Sequence, residues 1–322
     1  MRIIVYSARA YDRDVMREAN AGLGHELVFV EDQLTPDTVR IVEGGAGVSV
    51  FVNDAVDARM LEMLAERGTR ILVTRSMGVN HIDKAAATLL GIEVHNVPAY
   101  SPNSVSEFTV GLILTLTRKI HRAYVRCRDQ DFGLTGLVGV QLSDRTVGVV
   151  GAGQIGGLVL KALSGFGCRL VYFDQMDRPE LEGIAKRVDI GTLARESDII
   201  SFHVPLTPDT HHLVNAQTVP FLKRGVMLVN TGRGALIDST ALIEGLKAGH
   251  IAGAALDVYE DEAGVFYTDR SEQPLQDDVL ARLMSFPNVI VTSHMAYLTD
   301  HALRDIADTT LRAFTAFEKK VA

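Results

Sequence analysis

Three residues in the second half of the chain, Arg233, Glu262 and His294, combine types that can bind a carboxylate and move a proton. Arginine presents a planar, permanently charged fork that matches carboxylate geometry. Histidine exchanges its proton near neutral pH, because an unperturbed imidazole titrates at about 6.5. A glutamate beside it stabilises the imidazolium and holds the ring in one orientation. Each of the three follows a short apolar, β-branched run. Arg233 lies in Asn230-Thr231-Gly232-Arg233-Gly234, Glu262 follows the run 255–259, and His294 lies in Thr292-Ser293-His294-Met295-Ala296. In open α/β sheets, ligands bind outside the carboxyl ends of the strands, so this placement lets the three converge. Taken singly each has a plainer reading: a helix cap, a solvated acid in Glu260-Asp261-Glu262, a structural histidine. The joint pattern carries weight because of what precedes it.

Upstream, the run Thr146-Val147-Gly148-Val149-Val150 leads directly into Gly151-Ala152-Gly153-Gln154-Ile155-Gly156. Glycine at Gly151 makes a tight turn, at Gly153 it lets the backbone approach a pyrophosphate, and at Gly156 it lets helix and strand pack closely. A helix read over 158–165 would point its N-terminal amides at the phosphates. The next strand, 169–173, ends in Asp174, which is 18 residues past Gly156 and close to the roughly 20 expected of a ribose 2′-hydroxyl ligand. A carboxylate there repels a 2′-phosphate, and neither Gln175 nor Met176 is basic. The expected cofactor is NAD rather than NADP, with Arg178 the one nearby residue of opposite sign.

The elements that would position these groups alternate along the whole chain. Runs at 2–7, 26–30, 48–52, 70–74 and 92–95 read as strands separated by amphipathic segments, such as the helix 57–66 with Met60, Leu61 and Leu64 on one face. This is the pattern of βαβ units in a parallel sheet. The rhythm breaks at Val97-Pro98-Ala99-Tyr100-Ser101-Pro102, where Ser101-Pro102 also resembles a helix start. One long helix is expected over 104–128, then a second alternating series from Thr146 to Val291, then a final helix over about 299–319 that returns to the first domain. The expected architecture is α/β: two Rossmann-like or flavodoxin-like doubly wound parallel-sheet domains with a cleft between them. Residues 1–100 with 296–322 form a substrate domain, and 101–295 an inserted nucleotide-binding domain.

With 322 residues, 47% hydrophobic and 22% charged, the chain is ordinary for a globular protein of about two domains. A net charge of −8 and the lack of a basic stripe argue against nucleic acid as a partner. The densest basic stretch, 118–128, is broken by apolar residues at helical spacing. Cys127 and Cys168 share no metal-ligand spacing and suggest no disulfide framework, so neither a metal site nor an oxidising compartment is expected. The N-terminal run reads as a first strand rather than a signal peptide, and no segment approaches a membrane span of about 20 residues. A cytoplasmic location without membrane association is the expectation.

At these residues the chain resembles the D-isomer-specific 2-hydroxyacid dehydrogenase family, over essentially its full length. The resemblance includes the glycine loop, the 230–234 loop, Leu256-Asp257-Val258-Tyr259-Glu260-Asp261-Glu262, the His294 loop, Arg75-Ser76-Met77-Gly78-Val79-Asn80-His81-Ile82-Asp83 and the 97–102 crossover. Within the family, 269–278 is most similar to the bacterial fermentative D-lactate dehydrogenases. The resemblance implies NADH-dependent reduction of a small 2-keto acid to its D-2-hydroxy acid, pyruvate to D-lactate first, with glyoxylate, hydroxypyruvate or phenylpyruvate as alternatives. It assigns His294 as acid/base, Glu262 as its partner and Arg233 as the group orienting substrate. It places the Gly78 and Val79 amides and the Tyr100 hydroxyl on the substrate carboxylate, with Tyr297 closing the pocket. Around NAD it places Gln154 and Ile155 at the pyrophosphate, Asp174 at the ribose, and Val204, Pro205 and Thr210 at the adenine. Thr231, Gly232, Arg233 and Asp257 come at the nicotinamide end. It further implies domain closure and a homodimer or homotetramer, with the long helix as the natural dimer element or, given how apolar it is, simply part of the core.

The chain departs from the family pattern at Ser293, where many relatives carry proline, and at Met77, where a smaller residue is expected. Both bear on the pocket's shape more than on the reaction. The chain ends soon after its last helix, which argues against a phosphoglycerate dehydrogenase with a regulatory module. Glu262, where formate dehydrogenases of the superfamily carry glutamine, argues against that activity. An NAD-sensing corepressor of the same fold is the alternative from another class, and the absence of long disordered flanks argues against it.

Overall fold

The computed structural model describes residues 1–98 and 101–321, which resolve into two compact units, Met1–Ser101 with Leu298–Ala322 and Pro102–Tyr297. The first is built on β1 (Arg2–Val5), α1 (Ala10–Ala19), β2 (Glu26–Phe29), β3 (Gly47–Val50), α2 (Ala58–Glu66), β4 (Ile71–Thr74), α3 (Lys84–Leu89) and β5 (Glu93–Asn96), closed by a helix over Asp300–Val321. All five strands are parallel in the order β2-β1-β3-β4-β5. The chain therefore reverses direction across the sheet between β1 and β3, the kind of switch point where such sheets bind ligands.

Strand periodicity dictates the packing of this unit. Ile3 and Val5 point to one face and meet Met16 of α1 with Leu311 and Phe314 of the closing helix. Ile4 points to the other face and joins Leu61 and Leu64 of α2. Burial on both faces explains why these strands read as continuous apolar runs rather than alternating ones. Asp57 caps α2 by accepting the Met60 amide at 2.8 Å, a contribution of about 1 kcal/mol. The run expected at 2–7 leaves the strand after Val5, because Ser7 takes a left-handed backbone at φ 50°.

The second unit begins with α4 (Pro102–Arg118) and α5 (Ile120–Arg128). It continues through β6 (Thr146–Val150), α6 (Gln154–Ser164), β7 (Arg169–Phe173), β8 (Lys186–Arg187), α7 (Ile190–Glu196) and β9 (Ile199–Phe202). It ends with β10 (Val226–Asn230), α8 (Ser239–Lys247), β11 (Ile251–Leu256), α9 (Asp278–Met284) and β12 (Val289–Val291). Seven parallel strands run in the order β12-β11-β10-β9-β6-β7-β8, so the switch point lies between β6 and β9. Val147 and Val149 pack against Ile113 and Leu160, whereas Val150, Ile200 and Leu228 pack against Leu193, Leu242 and Leu280.

Two expectations are corrected here. The single helix over 104–128 is two helices, separated by a left-handed Lys119 at φ 55°. The Thr117 carbonyl, which an unbroken helix would direct to residue 121, instead accepts the Val140 amide at 2.9 Å. The helix after the glycine loop starts at Gln154 rather than at 158, so Gln154, Ile155 and Gly156 form its first turn. Among the described residues, no helix is long and apolar enough to cross a membrane.

Candidate active site

His294 follows β12 in a left-handed backbone conformation at φ 52°, which is uncommon for a residue with a side chain and is held by its neighbours. Its amide donates to the Asp257 carbonyl at 2.7 Å, and the Tyr267 hydroxyl donates to its carbonyl at 3.2 Å. The Asp257 carboxylate, fully buried, accepts the Thr292 hydroxyl at 2.6 Å and the amides of Met295 and Ala296 at 2.9 Å each. One aspartate at the end of β11 thus pins the whole histidine loop. The His294 Nδ1 lies 2.7 Å from Glu262 Oε1, both side chains about three-quarters shielded, and Glu262 Oε2 accepts the Tyr259 amide at 3.2 Å. With Nδ1 engaged, Nε2 is the nitrogen left for proton exchange.

Arg233 follows β10. Its Nη1 donates to the Gly232 carbonyl at 2.8 Å, which leaves most of the guanidinium donors for a ligand. Asn230, fully buried, shapes this loop by donating to the Arg233 carbonyl at 2.8 Å and accepting the Gly232 amide at 3.0 Å. Thr231 is held by the hydroxyl of Thr109 on α4 at 2.8 Å. A Cβ at Gly234 would lie 2.1 Å from the Tyr259 carbonyl carbon, so only glycine lets the arginine loop rest on the segment leading to Glu262.

The nucleotide loop follows β6 at the switch point. A Cβ at Gly156 would stand 2.0 Å from the Gly151 carbonyl oxygen, so strand end and helix start touch backbone to backbone. Around Gly153 there is open space, with only the Arg178 guanidinium at 4.0 Å. This is the cradle a pyrophosphate needs, facing the first turn that holds Gln154 and Ile155. Asp174 Oδ2 accepts the Ala152 amide at 2.8 Å, Oδ1 accepts the Met176 amide at 2.8 Å, and Arg178 Nε lies 3.2 Å from Oδ2. Burial alone would raise the Asp174 carboxyl; the Met176 and Ala152 amides and the Arg178 guanidinium outweigh it and hold the group below the usual carboxylate range. Val204 and Pro205 follow β9, and Thr210 closes that loop by donating to the Pro205 carbonyl at 2.6 Å. His203, which precedes Val204, is half-buried, and desolvation pushes it down to about 4; Ser201 lies 2.8 Å from its Nε2. The residues present fit NAD.

Replacing Asp174 by alanine is expected to weaken NADH about 10–100-fold, the effect of losing a hydrogen bond to a charged group, and to narrow the preference over NADPH. Fluorescence titration with both cofactors reads this directly. An unaltered preference would take the acid off the ribose.

In the first unit, Gly78 and Val79 lie half-buried in the loop after β4. The Ser76 hydroxyl donates to the Gly78 carbonyl at 2.7 Å and Asn96 donates to the Met77 carbonyl at 2.8 Å. Among the described residues no acceptor pairs with the Gly78 or Val79 amide, which leaves both donors available to an anion. His81 lies 3.1 Å from the Thr74 hydroxyl, and burial pushes it down to about 4. Met77 is 41% exposed. Tyr100 lies outside the described residues. Tyr297 is buried in the second unit, three residues beyond His294. The second unit therefore brings His294 to Glu262 and the Arg233 loop to the Tyr259 segment, while Gly78 and Val79 belong to the other unit.

Asp257, Asn230 and Thr109 are the supports that sequence reading did not foresee in these roles. Asp257 carried a signal, as an acid at the end of an apolar strand. Thr109, 122 residues from its partner, carried none.

The sequence model of the D-isomer specific 2-hydroxyacid dehydrogenase NAD binding domain matches residues 110–296. The chain is 44% identical to D-lactate dehydrogenase of Escherichia coli over 320 residues, covering 99% of this chain and 97% of that one. It is 43% identical to an aromatic 2-oxoacid reductase of Clostridium sporogenes over 321 residues, with 99% and 97% covered. The solved structure of a pyruvate reductase of Chlamydomonas reinhardtii superposes with a TM-score of 0.95 at 37% identity, again covering 99% and 97%.

Proposed function

Because this chain belongs to the D-isomer-specific 2-hydroxyacid dehydrogenase family, we propose that it reduces pyruvate to D-lactate with NADH. The His294–Glu262 pair at 2.7 Å is the observation that carries the chemistry, since it commits Nδ1 to the carboxylate and leaves Nε2 for proton exchange at the carboxyl end of the sheet. When bound, the nicotinamide supplies a hydride to the keto carbon. His294 gives its proton to the keto oxygen, and Glu262 stabilises the imidazolium beforehand and keeps the ring turned. Arg233 orients the substrate through its guanidinium, and the amides of Gly78 and Val79 hold the carboxylate. Tyr100 adds a hydroxyl to that carboxylate, and Tyr297 bounds the side-chain end of the pocket. In the oxidative direction His294 takes the proton back.

The preference for pyruvate is supported by the similarity to the Escherichia coli D-lactate dehydrogenase and the Chlamydomonas reinhardtii pyruvate reductase. A larger keto acid is the second reading, favoured by the similarity to an aromatic 2-oxoacid reductase. Oxidation of NADH followed with pyruvate, phenylpyruvate, glyoxylate and hydroxypyruvate in parallel separates the two. Pyruvate should give the highest kcat/KM, with reverse turnover of D- but not L-lactate. A wide margin for phenylpyruvate removes the lactate assignment and leaves the family reaction standing.

The functional unit is a homodimer or homotetramer. No residue of α5 is buried, and Ile120, Tyr124 and Val125 with Phe132, Leu134 and Val138 just beyond are each more than half exposed. An apolar surface of this extent is the kind a second copy covers. Light scattering should return a multiple of 35.0 kDa; a mass of one chain removes the assignment.

A further inference from the structure

Among the described residues, one group has the composition and spacing of a cation site and plays no part in the proposed reaction: His211, His212 and Glu260. One ligand atom from each lies within 4.8 Å of the other two. His212 Nε2 is 2.6 Å from Glu260 Oε1, and His211 Nε2 is 3.9 Å from the same oxygen. The two imidazoles stack with centroids 3.8 Å apart and planes 26° from parallel, so both rings present an edge to one carboxylate. We propose that these three side chains form a binding site for a divalent transition cation of the zinc class, using none of the side chains placed in the reaction and independent of which keto acid is preferred.

The donor set selects the ion class. Imidazole nitrogens with a carboxylate oxygen suit zinc, nickel, cobalt or copper, whereas calcium and magnesium take oxygen ligands almost alone. In a tetrahedral site with metal–ligand bonds of about 2.0–2.1 Å, the ligand atoms stand about 3.3 Å apart. The distances from Glu260 bracket that spacing, one shorter and one longer, so small side-chain rotations reach it. Water completes the shell on the open side, where the His211 side chain is 51% exposed.

The scaffold restricts two of the three ligands. His212 sits in the left-handed region at φ 52°, uncommon for a residue with a side chain, and is held there from both sides. Its amide donates to the Ala235 carbonyl at 2.8 Å, and its carbonyl accepts from Asn215 Nδ2 at 2.7 Å. Glu260 follows Tyr259, whose backbone rests against Gly234. The site therefore gathers the loops after β9 and β11, with the loop after β10 between them. Preorganisation of this kind lowers the conformational entropy lost on binding. Without an ion, the carboxylate accepts a hydrogen bond from His212 Nε2–H. Coordination at that nitrogen displaces the proton, and neutral His212 then carries it on Nδ1.

The test uses the full chain with Zn²⁺ alone, titrated by calorimetry at neutral pH in the absence of NADH and keto acid. One ion per chain is expected, and His211→Ala and Glu260→Gln should each weaken it at least about 10-fold. That is the lower end of what losing even an outer-shell partner of a metal ligand costs. Metal-free turnover of His211→Ala should match that of the parent, because this half-exposed side chain touches none of the groups placed in the reaction. Cys127→Ser serves as the control, since that thiol is exposed and thiolate is a competing class of zinc donor. Equal Zn²⁺ affinity in the parent and both site variants overturns the proposal, as does binding that is lost only with Cys127→Ser. Co²⁺ substitution supplies a second readout. A visible absorption band that disappears in His211→Ala supports coordination by this ring, and a band that survives the substitution overturns it.

Discussion

His294→Ala is expected to lower kcat for keto-acid reduction by about 10²–10⁴-fold, the range that positioned general acid–base groups contribute. NADH affinity should be unchanged, because the imidazole is paired with Glu262 rather than with any group of the nucleotide cradle. Replacing the ring also leaves the loop in place. Thr292, Met295 and Ala296 all bond to the buried Asp257 carboxylate, and the residue 294 amide bonds to the Asp257 carbonyl, none of which needs the histidine side chain. Turnover and fluorescence titration on the same preparation separate chemistry from binding. A variant that turns over normally removes His294 from the proton transfer. One that loses NADH and keto-acid turnover together shows instead that the loop has moved.

Gly156→Ala should be the most damaging single methyl group in the nucleotide site. The new carbon would stand 2.0 Å from the Gly151 carbonyl oxygen and 3.1 Å from a Val149 methyl, with backbone rather than a flexible side chain in the way. The strand end and the helix start must separate, which misplaces the amides of α6 that face the pyrophosphate. Loss of about 3 kcal/mol or more of stability is expected, together with NADH binding weakened at least about 100-fold. Gly157→Ala is the matched control. Its added carbon would meet nothing nearer than the Ala152 carbonyl oxygen at 3.5 Å, an ordinary contact. Thermal denaturation and NADH titration of the two variants give the comparison. Equal behaviour would mean that the close approach at Gly156 is not what shapes the loop.

Much of this architecture was legible from local rules. Continuous apolar runs such as Ile3-Ile4-Val5 and Val147-Gly148-Val149-Val150 read as strands of the buried type. Their alternation with helical segments required parallel sheets with helices on either side. The glycine loop with Asp174 at the end of the following strand was equally local: a turn, a close approach and an acid at a fixed offset. What is not local escapes these rules. The helix expected over 104–128 is broken because Val140, 23 residues beyond Thr117, takes the Thr117 carbonyl. No periodicity within the helix records that competition.

The chemistry divides along the same line. Residue types and strand-end positions by themselves singled out Arg233, Glu262 and His294 as candidates, because each chemical role admits few side chains and strand ends are where such sheets bind ligands. Only the tertiary structure decided how they are held: Asp257 spending its buried carboxylate on the histidine loop, Gly234 resting on Tyr259, and Thr109 reaching Thr231 across 122 residues. It also decided that His211 and His212 meet Glu260, a cation-binding combination that cysteine counting and short-range ligand spacing could not suggest. The physical reason is common to all of these. Propensity, periodicity and turn chemistry act over a few residues, whereas a ligand set or a buried hydrogen bond depends on which distant strand ends the sheet order places side by side.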